Sequence, residues 1–240
     1  EFNIAKLAFA CKKKLDIPIV HTFHTLWCDY FKYLSFFFDK HFHKSMERVM
    51  RNLFTKPVAK NSELEIVPTK TVYEQKGVYA LGEDIRIIPT GIDQDRFAYE
   101  KHKDKVLPLK EKYGIKEDQF VFLYIGRTSA EKNIETLING YAQSCKGNDK
   151  TVFLIVGGGP EMEELKALVS SLGLEKQVIF TGMIPFEEVP AYYHLGDVFI
   201  NASQSETQGL TYIEALASSL PLLVQQDECL NDVVKNGYNG

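Results

Sequence analysis

Two apolar stretches decide the fold of this chain, FVFLYIG at residues 120–126 and TVFLIVG at residues 151–157. Each has the length of one strand, is rich in aromatic or β-branched side chains and ends at a glycine. Their apolar character is continuous rather than alternating, which is typical of parallel strands that are buried on both faces. We therefore predict a parallel sheet at the centre of this part of the chain.

The same pattern recurs as far as the end of the sequence. Further strands are predicted at Gln177–Thr181, Asp197–Asn201 and Pro221–Gln225. Helical stretches alternate with the strands and are predicted to begin near Asn133, Glu161, Glu187, Leu210 and Asp227. Five consecutive strand–helix units predict an α/β fold with a doubly wound parallel sheet.

The first part of the chain has a shorter version of this organisation. A helix leads into a strand beginning at Pro18, and two short strands are predicted at Glu65–Pro68 and Arg86–Pro89. The polar stretch Glu100–Lys105 is the predicted linker, so we expect a first domain over residues 1–101 and a second over residues 102–240. Because no strand precedes the first helix and the last unit stops at a turn, we expect an incomplete N-terminal domain and a C-terminal domain truncated at its end.

The composition is that of an ordinary globular protein, with 45% apolar and 25% charged residues in a chain of 240. It excludes a disordered tail and a disulfide-stapled miniprotein. No apolar run reaches the ~18 residues that a membrane-spanning helix requires. The four cysteines are scattered without a C-x-x-C pair. They predict free thiols in a reducing cytosol, and neither a zinc site nor a disulfide.

Positive charge is concentrated near the start: residues 1–70 carry 12 Lys/Arg against 7 Asp/Glu, and the remainder carries 16 against 25. Simple scatter is one interpretation, and contact with an anionic partner such as phospholipid or nucleic acid is the other. Residues 39–58 are predicted to form a basic amphipathic helix, preceded by an aromatic-rich segment. Such a face is typical of ordinary core, but it also suits a lipid interface. The cations that would meet lipid are Lys40, Lys44, Arg48 and Arg51.

Ligands of a parallel α/β sheet bind at the carboxyl ends of its strands, which directs attention to the loop GRTSAEKN at 126–133. Arg127 follows the strand directly, and Lys132 stands just before the next helix. Both cations could therefore reach one anionic ligand at the sheet edge. Solvated loop charges are the alternative.

The loop GGGP at 157–160 matches neither common phosphate-binding motif. No Gly-Lys-Ser/Thr follows it, and Met162 stands where the third glycine of G-x-G-x-x-G belongs. We interpret it as a tight turn with Pro160 at the first helical position. Close approach of a ligand to its bare backbone stays open as the alternative.

The strongest constellation is SETQGLTYIEA at 205–215. Gly209 frees the backbone for a turn into a helix that starts near Leu210, whose first unpaired amides suit a phosphate. Glu206 lies in the loop, and Glu214 lies one turn, ~6 Å, along the helix. Both carboxylates would be good acceptors for paired sugar hydroxyls. For either glutamate alone, an ordinary charge near a helix N-terminus would be the simpler interpretation.

Two histidines, His21 and His24, follow a predicted strand in the first domain. A zinc site is a poor interpretation, because no third ligand lies at a usable spacing. Either histidine could be a hydrogen-bonded core residue, or could face the opposite domain across a cleft.

Taken together, these segments resemble the retaining glycosyltransferases of family 4, which have the GT-B fold of two Rossmann-like domains. The resemblance covers nearly the whole chain, including VIFTG (178–182) and GDVFINAS (196–203), and is most specific in SETQGLTYIEALAS (205–218). HTFHTLWCDY (21–30) is most similar to bacterial diacylglycerol glucosyltransferases. Trp27 and Cys28 replace the expected Tyr-Glu there, and Ser219 replaces the usual glycine.

The resemblance implies a role for each candidate residue. Arg127 and Lys132 would bind the diphosphate of a nucleotide sugar, and Glu214 would bind its ribose. Glu206 would hold hydroxyls of the sugar, and His24 would reach that sugar from the facing domain. The remaining contacts to the donor would come from the helix start at Gly209, Leu210 and Thr211.

The resemblance also implies an activity: transfer of a hexosyl group, expected to be glucose, from a UDP-sugar to a lipid acceptor such as diacylglycerol. It implies a metal-independent mechanism without a cofactor. The enzyme would be cytoplasmic and peripheral on the inner face of an anionic membrane, and no nucleic-acid partner is expected.

Three alternatives stay open. The chain could act on a different acceptor within the same family, or it could be an inactive nucleotide-sugar-binding fragment. It could also be a glycoside hydrolase with Glu206 and Glu214 as acid and base. The hydrolase interpretation leaves Arg127 and Lys132 without a role.

Overall fold

The computed structural model describes residues 2–24, 48–49, 51–203 and 205–240. The chain divides into two compact units, the first comprising Glu1–Thr90 with Ser205–Gln208 and the second Gly91–Gln204 with Gly209–Gly240. The division therefore falls before Gly91, whereas the sequence analysis placed the boundary after Lys101. Phe97 explains the difference, because it is buried in the core of the second unit.

The described residues of the first unit contain a three-stranded parallel sheet in the order β1-β2-β3. Its strands are β1 (Val20–Thr22), β2 (Leu64–Val67) and β3 (Ile85–Ile87). The helices that lie wholly within its described residues include α1 (Phe2–Leu15), α2 (Lys56–Asn61), α3 (Lys70–Glu74) and α4 (Lys76–Tyr79), and a π-helical turn, Arg51–Thr55, leads into α2. The three strands predicted for this part of the chain are confirmed as parallel neighbours.

The second unit contains a five-stranded parallel sheet with helices between its strands. The strands are β4 (Phe120–Ile125), β5 (Thr151–Val156), β6 (Val178–Gly182), β7 (Val198–Asn201) and β8 (Leu222–Val224). The helices are α5 (Lys103–Lys112), α6 (Ile134–Cys145), α7 (Met162–Ser171), α8 (Val189–Tyr193) and α9 (Leu210–Ala217). Within the described part of the chain, no helix combines the length and apolar character needed to cross a membrane.

The strand order in this second sheet is β6-β5-β4-β7-β8, so the predicted doubly wound sheet is confirmed. The chain runs outward from β4 through β5 to β6, and then returns to the other side of β4 to form β7. Two local predictions were wrong. Pro160 lies two residues before the first helical residue, Met162, and not at the first helical position, and the last predicted helix is only a 3₁₀ turn, Glu228–Leu230.

The core of the second unit has two apolar layers, one on each face of the sheet. All six residues of β5 are buried, and they alternate between the layers. Leu154 packs in one layer with Leu123 of β4, and Phe153 packs in the other with Tyr124. This is the burial on both faces that the continuous apolar runs predicted.

The glycine-rich loop after β5 supports the loop that leaves β4. Gly157 has a φ of +125°, and a Cβ built there would collide with the carbonyl oxygen of Gly126. The amide of Thr128 donates to the carbonyl of Gly158 at 3.0 Å. The bare backbone of this loop is therefore needed for contact with the neighbouring loop.

We expect Gly157→Ala to destabilise the second unit, because the added methyl group would force the two loops apart and φ is unfavourable for any L-residue. The expected cost is about 2 kcal/mol or more, measured as a lower urea midpoint. Gly140→Ala is the matched control, since a Cβ at Gly140 in α6 meets nothing within 4 Å. That control is expected to stabilise the helix by about 1 kcal/mol. Equal midpoints for the two variants would contradict the prediction.

Candidate functional site

The strands β4 and β7 are neighbours at the point where the strand order of the second unit reverses. Such a reversal opens a crevice at the carboxyl ends of the two strands, where ligands of α/β sheets bind. The loop after β4 carries Arg127 and Lys132, and the chain after β7 leads to α9. The hydroxyl of Ser203 donates to the carbonyl of Glu131 at 3.3 Å and joins the two connections.

Arg127 is held by a buried carboxylate. Its Nη2 lies 2.6 Å from Oε1 of Glu131, and the hydroxyl of Ser129 donates to the same oxygen at 2.6 Å. The Arg127 side chain is 55% exposed, whereas that of Glu131 is 11% exposed. The guanidinium therefore combines a fixed anchor with a solvent-facing surface.

The charge state of Glu131 follows from these contacts. Burial alone would raise the pKa of its carboxyl group, but the hydrogen bonds from Ser129, the backbone and Arg127 outweigh burial and lower the pKa below its usual value. The carboxylate is consequently ionised at neutral pH and remains a partner for Arg127.

Lys132 lies in a 3₁₀ turn, Ala130–Lys132, that ends immediately before α6. Asn133 closes this turn in the left-handed conformation, with a φ of 52°. The predicted position of Lys132 between the strand and the next helix is therefore confirmed, while its role stays a prediction.

The turn into α9 depends on Gly209, whose φ is +70°. A Cβ at this position would lie 2.8 Å from the ring of Tyr212 and 2.9 Å from Leu230. The helix begins at Leu210, as predicted, so the amides of Leu210 and Thr211 belong to the first turn and have no intrahelical acceptor.

Glu214 lies on α9 and is tied to a tyrosine that the sequence analysis did not identify. The hydroxyl of Tyr193 donates to Oε2 of Glu214 at 2.7 Å. Burial raises the pKa of Glu214 above its usual value, whereas the Tyr193 hydrogen bond and the charge of Arg96 act in the opposite direction. No sequence pattern pairs these two residues, because α8 and α9 are separate elements connected through β7.

The segment Ser205–Gln208, which contains Glu206, belongs by its contacts to the first unit. The hydroxyl of Thr207 donates to the carbonyl of His24 at 3.1 Å, and its own carbonyl accepts from the hydroxyl of Thr69 at 2.9 Å. The side-chain amide of Gln208 both accepts from the amide of Thr90 and donates to its carbonyl, each at 2.8 Å. Glu206 is half-buried in this anchored segment, and the imidazole of His24 is exposed.

His21 has a structural partner. Its Nδ1 lies 3.2 Å from Oε1 of the buried Glu65 on the adjacent strand β2. Gly82 donates its amide to the other carboxylate oxygen of Glu65. Of the two interpretations for this histidine, the hydrogen-bonded one is therefore confirmed.

The predicted lipid-contacting cations fall partly outside the described residues, as Lys40 and Lys44 do. Arg48 is exposed, and Arg51 begins the π-helical turn. Nearby Leu53 is 62% exposed, so an apolar side chain accompanies these cations at the surface.

The described residues also bear on metal binding. They contain no group of three or more His, Cys, Asp or Glu side chains that could hold a metal ion. Asp93 and Asp95 have the spacing of an acidic pair, but the carboxylate of Asp93 caps a 3₁₀ turn by accepting from the amide of Asp95 at 3.2 Å.

Solved structures share the fold of the chain. The Anabaena protein Alr3699/HepE, crystallised with UDP-glucose, superposes with a TM-score of 0.77 at 20% identity, over 100% of this chain and 62% of that protein. This similarity confirms the GT-B type of fold.

Curated relatives match over the whole chain. The alpha-monoglucosyldiacylglycerol synthase of Acholeplasma laidlawii is 36% identical over 100% of this chain and 60% of its own length. The enzyme of the same name from Streptococcus pneumoniae is 34% identical over 100% of this chain and 53% of its own length. The chain thus spans between about half and 60% of the length of these two relatives.

Two family models cover most of the sequence. The model described as "Glycosyltransferase Family 4" matches residues 2–96. The model described as "Glycosyl transferases group 1" matches residues 107–240, which is more than half of the chain. The protein therefore belongs to the group 1 glycosyltransferases, with a family 4 amino-terminal part.

Proposed function

We propose that this chain is part of a retaining glucosyltransferase that moves glucose from UDP-glucose to diacylglycerol at the inner face of the cytoplasmic membrane. The observation that carries the proposal is the whole-chain similarity to two alpha-monoglucosyldiacylglycerol synthases. The arrangement of the second unit supports it, because two cations and the start of α9 follow neighbouring strands at one sheet edge. A nucleotide diphosphate needs this combination of positive charge and free backbone amides.

The diphosphate of the donor would be held by Arg127, Lys132 and the first turn of α9. A guanidinium presents N–H donors in a planar fork that suits phosphate oxygens, and the Arg127 side chain is 55% exposed. Thr211 would add its hydroxyl near the phosphate. As the bond between the anomeric carbon and the diphosphate breaks, negative charge grows on the leaving group, and these fixed donors would stabilise that charge.

The sugar and the ribose would be bound by carboxylates. Glu214 would accept hydrogen bonds from the ribose, and Glu206 from hydroxyls of the glucose. His24 would contact the sugar as a second polar group. The acceptor oxygen would attack the anomeric carbon on the face that the diphosphate leaves, and the acceptor hydroxyl would give its proton to the departing diphosphate oxygen.

A thermal-shift screen of nucleotide sugars tests the donor site. UDP-glucose is expected to raise the melting temperature of the wild type, and Lys132→Ala and Glu206→Ala are expected to weaken that shift. Removing one donor to the developing charge is expected to lower kcat by about 100-fold or more for Lys132→Ala.

Lys105→Ala is the matched control for the donor site, because Lys105 is an exposed lysine on α5 of the same unit. It is expected to keep the full shift. An unchanged shift in both site variants, or hydrolysis of a glycoside without any nucleotide release, would refute the proposal.

We also propose that the transfer needs no metal ion, because side-chain cations would neutralise the leaving diphosphate. Turnover by the full-length enzyme is expected to be the same before and after treatment with a chelator. The measurement is the rate of UDP release with and without added EDTA, with a Mg²⁺ readdition arm. Loss of activity that Mg²⁺ restores would contradict this expectation.

Membrane docking would use the basic segment that contains Lys40, Lys44, Arg48 and Arg51. Co-sedimentation with vesicles that contain anionic lipid is expected at low salt and to be lost near 1 M salt, where the Debye length falls to about 3 Å. Lys44→Glu with Arg48→Glu is expected to abolish binding.

Lys101→Glu with Lys105→Glu, two exposed lysines of the second unit, makes the same charge change elsewhere and serves as the control. It is expected to leave vesicle binding unchanged. Vesicle binding that changes neither with the salt concentration nor with the charge of the lipid would contradict the docking proposal.

A further inference from the structure

Tyr193 is a buried residue that none of the predicted site roles includes. It ends α8, and its side chain is 0% exposed. Its ring packs edge-on against Phe97, with 5.8 Å between centroids, and lies 6.1 Å from the ring of Phe199. These contacts fix the ring, so the position of its hydroxyl is fixed as well.

The hydroxyl of Tyr193 reaches two groups on α9. It lies 2.7 Å from Oε2 of Glu214 and 3.3 Å from the carbonyl oxygen of Thr211. A phenol has one proton to donate, and the shorter distance and the charge of the carboxylate favour Glu214 as the acceptor. The carbonyl of Thr211 is then a secondary contact.

This bond fixes which oxygen of Glu214 is available to a ligand. Oε2 accepts from Tyr193, and in the described part of the chain no hydrogen bond to Oε1 is recorded. Glu214 is half-buried, so part of the residue remains accessible to solvent. Because the Glu214 side chain is already oriented, it loses little further conformational entropy when a ligand hydroxyl binds to its carboxylate.

The bond also preserves the charge of Glu214. Burial raises the pKa of this carboxyl group, and the hydrogen bond from Tyr193 opposes that rise. Burial and the neighbouring Glu214 raise the pKa of Tyr193 well above its usual value. The tyrosine is therefore always protonated in the physiological range and always a donor.

We propose that Tyr193 is a positioning residue that orients the Glu214 carboxylate so that Oε1 accepts a ribose hydroxyl of the nucleotide donor. This inference rests on the proposed function, in which Glu214 binds the ribose. Tyr193 itself does not touch the donor, and its whole effect passes through Glu214.

Tyr193→Phe tests the inference, because it keeps the buried ring and removes only the hydroxyl. The variant is expected to bind UDP about 10-fold more weakly by calorimetry, as expected for loss of a hydrogen bond to a charged group. Without that bond the pKa of Glu214 rises. On acidification, the variant should therefore lose its affinity for UDP at a higher pH than the wild type does. The preference for UDP over 2′,3′-dideoxy-UDP should shrink in the same variant.

Two further variants separate positioning from general stability. Tyr192→Phe removes a buried hydroxyl from the same helix, but that hydroxyl pairs with Tyr113 at 3.1 Å, and UDP affinity should stay at the wild-type value. In a Glu214→Gln background, Tyr193→Phe should change the Kd for UDP by less than about 2-fold, because the two substitutions remove one interaction.

The outcomes distinguish this inference from the proposed function. A wild type that binds UDP together with a Tyr193→Phe variant of equal affinity and pH dependence would overturn the inference alone. Tyr193→Phe could instead lower UDP affinity by the same factor in the Glu214→Gln background as in the wild type. That result would show a merely structural role for Tyr193 and would also overturn the inference. A full-length wild type that binds no UDP would overturn the proposed function, and the ribose contact with it.

Discussion

The structure of the second unit depends on the position of β4 at the centre of a parallel sheet. β4 pairs with β5 along its full length and with β7 on its other edge. Because all of these strands run in the same direction, the connections that leave β4, β5 and β7 emerge at the same edge. Every residue predicted to hold the diphosphate or the ribose of a donor follows one of these strands. Burial of β5 on both faces fixes its register, since a shift of one residue would exchange the side chains that pack in the two apolar layers.

Two carboxylates at this edge of the sheet have similar surroundings. Glu131 and Glu214 are both partly removed from water, and each accepts a hydrogen bond from a hydroxyl group, of Ser129 and Tyr193 respectively. An unpaired buried carboxylate would be costly and would tend to become neutral. The hydrogen bonds from these hydroxyl groups lower the pKa of both carboxyl groups and so oppose the effect of burial. Glu131 can therefore hold Arg127, whose side chain is 55% exposed.

The first unit fixes a loop in a different way, through hydrogen bonds with residues that follow the ends of its strands. His24 follows β1, Thr69 follows β2 and Thr90 follows β3, and each contributes a hydrogen bond to Thr207 or Gln208. Parallel strands bring these three positions to one edge for the same reason as in the second unit. Glu206, which precedes Thr207, is thereby attached to a segment with a defined backbone.

The sequence alone determined the strand–helix order, the parallel sheet and the start of α9 at Leu210. It also determined the loop in which Arg127 and Lys132 lie and the position of Glu214 within α9. These features follow from local periodicity and from glycines that permit particular turns. Both signals depend only on residues that are close together in the sequence. The partners of these residues could be anticipated only in part. Glu131 stands four positions after Arg127, a spacing that is compatible with an ion pair.

The contact between Tyr193 and Glu214 could not be predicted from local sequence, because it joins a helix that precedes β7 in the chain to a helix that follows β7. Likewise, only the folded chain assigned Ser205–Gln208 to the first unit and the Gly157 backbone to the support of the loop after β4. Contacts of this kind depend on packing between elements that are distant in sequence. Local sequence patterns therefore do not predict which side chains will be in contact.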